Sequence, residues 1–153
     1  MMDASKPLVS VFIVTYNSSD YIIEALDSVR NQTYPNIELV VSDDCSTDNT
    51  VPLVKDWMKS YGSRFSRTEI VVAPKNQGIP SNYNRAVNAC HGEWLKMMDG
   101  DDLLTEDCIA VNIEYVQQHP EVQVVFSDLD CFRDNDTTHI VRHYFSEKDK
   151  TFF

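Results

Sequence analysis

Glycine is scarce in this chain, with only four in 153 residues, at positions 62, 78, 92 and 100. That scarcity excludes a GxGxxG dinucleotide fingerprint and a P-loop, both of which need glycines at fixed spacing. Cysteine is also sparse: Cys45, Cys90, Cys108 and Cys131 lie far apart and form no CxxC pair. Neither a structural zinc site nor a disulfide framework is expected, and the thiols are expected to be free and buried. Long apolar runs are missing, the run at residues 8–14 being strand-sized, which excludes a transmembrane helix. The opening Met1-Met2-Asp3-Ala4-Ser5-Lys6 lacks the apolar stretch of a secretory signal, so a cytoplasmic location is expected. There is no GxSxG elbow and no histidine pair at zincin spacing; His91, His119, His139 and His143 read as surface or turn residues. Basic residues are outnumbered 24 to 13 by acidic ones, for a net charge of −11. Such a surface repels phosphate backbones and argues against nucleic-acid binding. A small phosphate-bearing ligand would need a cation between it and the protein.

What is present is an alternation of short apolar runs with segments of helical period. Residues 8–14 are rich in β-branched side chains and read as a strand buried on both faces. Tyr21, Ile22, Ala25, Leu26 and Val29 then recur at helical spacing, with Ser18, Ser19 or Asp20 available as N-cap. A turn at Tyr34-Pro35-Asn36 leads into a second strand at 37–42, followed by a helix from about Thr50 with Val54, Trp57, Met58 and Tyr61 on one face. A third strand at 70–73 precedes a helix capped by Ser81, with Tyr83, Ala86, Val87 and Cys90 as its apolar face and Gly92 as a left-handed terminal cap. A fourth strand is expected at 93–98, a helix capped by Thr105 with Ile109, Ile113 and Val116 inward, and a fifth strand at 122–126. This order predicts an α/β domain with a mostly parallel sheet and right-handed crossovers. The closing aromatics, Tyr144, Phe145, Phe152 and Phe153, have no polar stop after them, which suggests a missing covering segment.

In open parallel sheets, ligands bind beyond the carboxyl ends of the strands, where the strand order reverses. The residues there are Thr15-Tyr16-Asn17 after the first strand, Asp43-Asp44 after the second, Asn76-Gln77-Gly78 after the third and Asp99-Gly100-Asp101-Asp102 after the fourth. Parallel strands bring all four loops to one edge. Three aspartates within four residues would all be ionised and mutually repelling at neutral pH. Solvation, helix capping or a cation can offset that cost, and Mg²⁺ or Mn²⁺ takes one or two carboxylates together with substrate phosphates. Asp43-Asp44 suits either an Asx-turn or acceptance of a pyrimidine N3–H, and Tyr16 either a core-edge position or stacking on a base.

The run from Val9 to Asn17, the block Asp43-Asp44-Cys45-Ser46-Thr47-Asp48-Asn49-Thr50, the stretch Asn76-Gln77-Gly78 to Asn84, and Gly92-Glu93-Trp94 leading into Asp99-Gly100-Asp101-Asp102 together resemble family 2 glycosyltransferases, which invert and have the GT-A (Rossmann-like) fold. The resemblance spans residues 7–130, with 1–6 as a tail and 131–153 as the start of an incomplete acceptor-side region. It implies a nucleotide-sugar donor, UDP-linked, and a saccharide or lipid-linked acceptor in surface-polysaccharide synthesis. Membrane association would come only through missing segments. Thr15, Tyr16, Asn17, Asp43, Asp44, Asn76, Gly78, Asn84 and Asp101 would bind the donor, while Asp99, Asp101 and Asp102 would hold Mn²⁺ or Mg²⁺. The general base is implied to lie beyond Phe153, because Asp128 and Asp130 follow the fifth strand too closely. Glycine commonly stands at the Cys45 position in that family, and an arginine often precedes the asparagine where Tyr83 stands here, the arginine being Arg85 instead. A phosphoacceptor receiver fits less well, since the acidic pairs follow the wrong strands. A non-catalytic nucleotide-sugar-binding or interaction domain of the same fold is the alternative.

Overall fold

The β-branched run at the start of the chain forms β1 (Val9–Thr15), which is buried at every position. Its neighbour β2 (Ile37–Asp43) is equally buried. Both therefore lie in the middle of a sheet covered on two faces, as a continuous apolar run requires. A computed structural model describes residues 6–133 and 136–143. Expectations placed on residues 1–5, on the aromatics after His143 and on the side chains of His139 and His143 fall outside the described residues. The chain divides into two compact units, one up to Val111 and one from Asn112 onward.

In the first unit, β3 (Arg67–Val72) and β4 (Trp94–Asp99) complete a four-stranded sheet of order β3-β2-β1-β4. All pairings are parallel, with Val9 opposite Ile37 and Trp94, and Thr15 opposite Asp43. The chain moves outward from β1 to β3 and then crosses back to the other side of β1, so the strand order reverses between β1 and β4. Helix α1 (Ile22–Arg30) buries Ile22, Ala25, Leu26 and Val29, the stripe its period predicts. Helix α2 (Thr50–Tyr61) buries Val54 and Trp57, whose indole N–H donates to Asp27 Oδ1 at 2.9 Å. Helix α3 (Ile79–Ala89) packs Ala86 and the ring of Tyr83 against Phe12, Val14 and Val40. Helix α4 (Cys108–Gln118) buries Ile109, Ile113 and Val116.

Several expectations need correction. No serine or aspartate side chain caps α1; the backbone N–H groups of Ser18 and Ser19 are instead bonded to Thr50 and Asp48 across the neighbouring loop, and the turn is held by Ser18 O. Helix α3 begins two residues before Ser81, with Gly78 at its N-cap and Pro80 in its first turn, where the missing proline N–H costs nothing. Thr105 accepts the Cys108 N–H through its carbonyl, leaving Glu106 and Asp107 ahead of α4 rather than inside it. Gly92 is not in the left-handed region: it is required by close approach, because a Cβ there would stand 2.5 Å from Ser10 N. Strand β4 is an edge with Leu95 and Met97 exposed, not a buried strand. The four cysteines form no disulfide and are half-buried rather than buried.

The second unit holds an antiparallel hairpin, β5 (Asp130–Arg133) and β6 (Asp136–His143), interrupted by register shifts around Phe132. Residues 122–126, expected as a fifth strand, are not one. Among the described residues they pair with no strand, and Val124 and Phe126 are 65% and 80% exposed. A β-prone run without a pairing partner has nowhere to place its backbone hydrogen bonds.

Candidate functional site

The strand order reverses between β1 and β4, and the loops after all four parallel strands lie on the same edge of the sheet, where such folds bind ligands. The β1 loop is stitched to the β2 loop. Asn17, at φ 52°, donates its N–H to Ser46 Oγ at 2.8 Å and accepts the Thr47 N–H at 2.8 Å. Ser18 N–H donates to Thr50 Oγ1 at 2.8 Å and Ser19 N–H to Asp48 Oδ2 at 3.0 Å. Asp48 also accepts from the backbone and hydroxyl of Thr50. Against an opposing effect of burial, those bonds hold its carboxyl down at about 2. Tyr16 remains 48% exposed at the top of this clasp.

Asp43 and Asp44 are both buried and both engaged. Asp43 accepts the N–H and hydroxyl of Ser46, a local turn that leaves Cys45 at φ 67°. That left-handed geometry explains why a glycine would suit the Cys45 position. Asp44 Oδ2 accepts the N–H groups of Gln77 (2.9 Å) and Gly78 (2.7 Å), and its Oδ1 faces Arg85 at 3.3 Å. Gly78 sits at φ 84°, which lets the β3 loop fold over this carboxylate before α3 starts. Asn76 turns back on the same loop, accepting the Gly78 N–H at 3.2 Å, while Asn84 stands exposed on α3.

Asn82, not singled out from sequence, is buried and binds three elements together. It accepts from Ser42 Oγ at 2.6 Å and from Arg85 at 2.8 Å, and donates to Thr15 O at 3.2 Å. Arg85 is thus committed to Asp44, Asn82 and Gln77 Oε1. Tyr83 was expected only as core, yet its hydroxyl donates to Asp99 Oδ1 at 2.6 Å. Burial, that hydrogen bond and the charges of Asp99 and Asp102 push the phenol well above its ordinary range. Helical spacing identifies the apolar face of α3, but it carries no signal for the polar tips of residues on that face.

After β4, Gly100 is buried and donates to Val14 O at 3.0 Å, pressing the acidic loop against β1. A Cβ on Gly100 would meet Thr15 Oγ1 at 3.0 Å and Ser18 Oγ at 3.3 Å. Thr15 Oγ1 is itself buried and has no hydrogen-bond partner, an atom that a native structure rarely leaves unpaired. Asp99, Asp101 and Asp102 all face solvent. Partial desolvation, then the charges of Asp101 and Asp99, push the Asp102 carboxyl above its ordinary range even so. Among the described residues, no three His, Cys, Asp or Glu side chains converge on one point. Mg²⁺ or Mn²⁺ asks for only one or two carboxylates besides phosphate and water. Carboxylate oxygens, such as these three aspartates carry, are the donor type that such a hard cation takes.

The sequence profile described as Glycosyl transferase family 2 matches residues 10–153. The chain belongs to that family. Relatives of this chain include a putative teichuronic acid biosynthesis glycosyltransferase, TuaG, of Bacillus subtilis, 33% identical over 74% of this chain and 43% of its own length. Chondroitin synthase of Escherichia coli is 32% identical over 79% of this chain and 17% of its own. Among solved structures, S. aureus TarS 1–349 in complex with UDP-GlcNAc superposes with a TM-score of 0.67 at 31% identity, covering 74% of this chain and 32% of that one. The mannosyltransferase PcManGT from Pyrobaculum calidifontis, in complex with GDP-Man and Mn²⁺, gives 0.69 at 27% identity, covering 83% and 36%. The fold is GT-A, with a mostly parallel sheet and flanking helices. This chain spans less than half the length of the curated relatives named here. No helix among the described residues is long and apolar enough to cross a membrane.

Proposed function

We propose that this chain forms the donor half of an inverting glycosyltransferase that moves a sugar from a nucleotide-diphosphate carrier, UDP-linked, to a saccharide or lipid-linked acceptor in surface-glycan synthesis, in the cytoplasm. The observation that carries the reading is the seam at the carboxyl ends of β1 and β4, where the Asp99–Asp102 loop is pressed through Gly100 onto the unpaired Thr15 hydroxyl. The structures superposed on this chain hold UDP-GlcNAc in one case and GDP-Man with Mn²⁺ in another, which supports a nucleotide-sugar donor.

The exposed ring of Tyr16 offers a face on which a base stacks, and Asp44 Oδ1, buried and facing Arg85 at 3.3 Å, is the acceptor we assign to a pyrimidine N3–H. Thr15, Asn17, Asp43, Asn76, Gly78 and Asn84 complete the donor region: Asn17 and Asp43 shape its loops, Asn76 and Gly78 close over Asp44, and Asn84 presents its amide from α3. Asp99, Asp101 and Asp102 would hold Mg²⁺ or Mn²⁺, with Asp101 also close to the donor. Such a cation supplies charge stabilisation to the diphosphate and its leaving oxygen. The protein's own part is to hold the nucleotide at the strand ends with little reorganisation, the condition under which positioned dipoles act most strongly.

Calorimetric titration of UDP tests this directly. Binding is expected with Mn²⁺, is expected to be lost in EDTA, and is expected to weaken roughly thirtyfold in Asp101→Ala or Asp102→Ala. UDP binding that ignores both the metal and the two substitutions would contradict the proposal.

A further inference from the structure

Among the described residues, strand β4 pairs with β1 alone, so its carboxyl end is tethered by a single ladder that runs out at Val14 opposite Asp99. The acidic loop starts at that point, and Asp99 is its first carboxylate. One bond from another element reaches that carboxylate: the hydroxyl of Tyr83, on α3, donates to Asp99 Oδ1 at 2.6 Å. The tyrosine is held firmly. Its ring meets Phe12 edge-on, centroids 6.0 Å apart at 88°, and packs on the core of Val14, Val40 and Ala86. The residue before it, Asn82, ties α3 to the ends of β1 and β2 through Thr15 O and Ser42 Oγ. A side chain with two rotors, locked at both ring and helix, aims its hydroxyl with little entropic cost on binding.

We propose that Tyr83 is a positioning residue for the donor site, its hydroxyl anchoring the Asp99 carboxylate so that the acidic loop is set before donor and cation arrive. The inference rests on the donor reading above. Packing alone would need the ring and not the oxygen, whereas anchoring needs a donor and tolerates a change of ring. A guanidinium at this position can donate to the same carboxylate from the same helix turn.

The test measures UDP affinity with Mn²⁺ and thermal stability for the unaltered chain, Tyr83→Phe, Tyr83→Arg, Asp99→Ala, and Tyr83→Phe combined with Asp99→Ala. Tyr83→Phe is expected to weaken binding about five- to tenfold while the melting temperature moves by no more than about 2 °C. Tyr83→Arg is expected to bind as tightly as the unaltered chain or more tightly. Tyr83→Phe should add nothing once Asp99→Ala has removed the acceptor, the signature of one shared interaction. Full binding in Tyr83→Phe with loss in Tyr83→Arg would show that only the ring matters and would overturn the inference. Additive effects of Tyr83→Phe and Asp99→Ala would overturn it as well. Absence of UDP binding by the unaltered chain would overturn the donor reading, and this inference with it.

Discussion

Glu38, at the amino end of the four-stranded sheet, and the Asp99–Asp102 loop, at its carboxyl end, hold their carboxylates in opposite ways. At the amino end, Glu38 is 1% exposed and fully answered: it accepts from Ser10 Oγ, from the N–H groups of His91 and Gly92, and from Arg67. Burial alone would raise its pKa, yet these donors hold the carboxyl below its ordinary value. At the carboxyl end, Asp99, Asp101 and Asp102 stand in solvent, Asp102 is pushed up, and a buried hydroxyl beside them has no partner. A satisfied buried charge organises structure; exposed carboxylates of which Asp99 is anchored by Tyr83, beside an unpartnered buried hydroxyl, keep acceptor capacity for a ligand. The cleft lined by Arg67, Glu69, Arg85 and His91 belongs to the first kind, since its arginines are already committed to Glu38, Glu69 and Asp44.

The comparison breaks most visibly if the amino-end network is removed. Glu38→Ala takes away the acceptor of four donors and is expected to cost about 3 kcal/mol of stability in urea titrations. UDP affinity of the folded fraction should be unchanged. A large loss of affinity without loss of stability would erase the distinction between the two ends. Asp48→Ala should cost less, about 1 kcal/mol by the same titration, because it removes the acceptor that joins Ser19 N–H of the β1 loop to Thr50 at the start of α2. Acid sharpens this further. Asp48 and Glu38 have lowered pKa values in the folded chain, so their stabilisation is complete above the ordinary carboxylate range. It should fade as pH falls from about 4 towards about 2, and Asp48→Asn should flatten part of that loss in melts run across the range. The smallest expected effect is from Gly100→Ala. The added methyl must push Thr15 by a few tenths of an ångström, which should lower UDP affinity about threefold with a stability change under about 1 kcal/mol.

The strand–helix alternation was legible because β1 and β2 are apolar on both faces and α1 shows its buried stripe at strict helical period. The convergence of Thr15, Asp44, Gly78 and Asp99–Asp102 followed from topology alone, since parallel strands must end on one edge. Long-range polar partners were not legible. Asn82 and Tyr83 sit on a helix face whose apolar period is correct, and only the fold shows that their polar tips reach Thr15 and Asp99. The start of α2 at Thr50 was legible, whereas the cap of α1 was not, because local capping residues were read without the neighbouring loop that takes up the backbone N–H groups of Ser18 and Ser19. Residues 122–126 failed as a strand because β-propensity acts only where a partner strand exists. Their exposed Val124 and Phe126 mark that missing context.

The most direct test of the central claim is amide chemical-shift mapping of the whole chain on addition of UDP and Mg²⁺. The account predicts shifts concentrated at residues 15–17, 44, 76–78 and 99–102, with Ser10, Glu38, Arg67 and His91 unmoved. Shifts centred on the Arg67–His91 cleft, or absent from the Asp99–Asp102 loop, would contradict it.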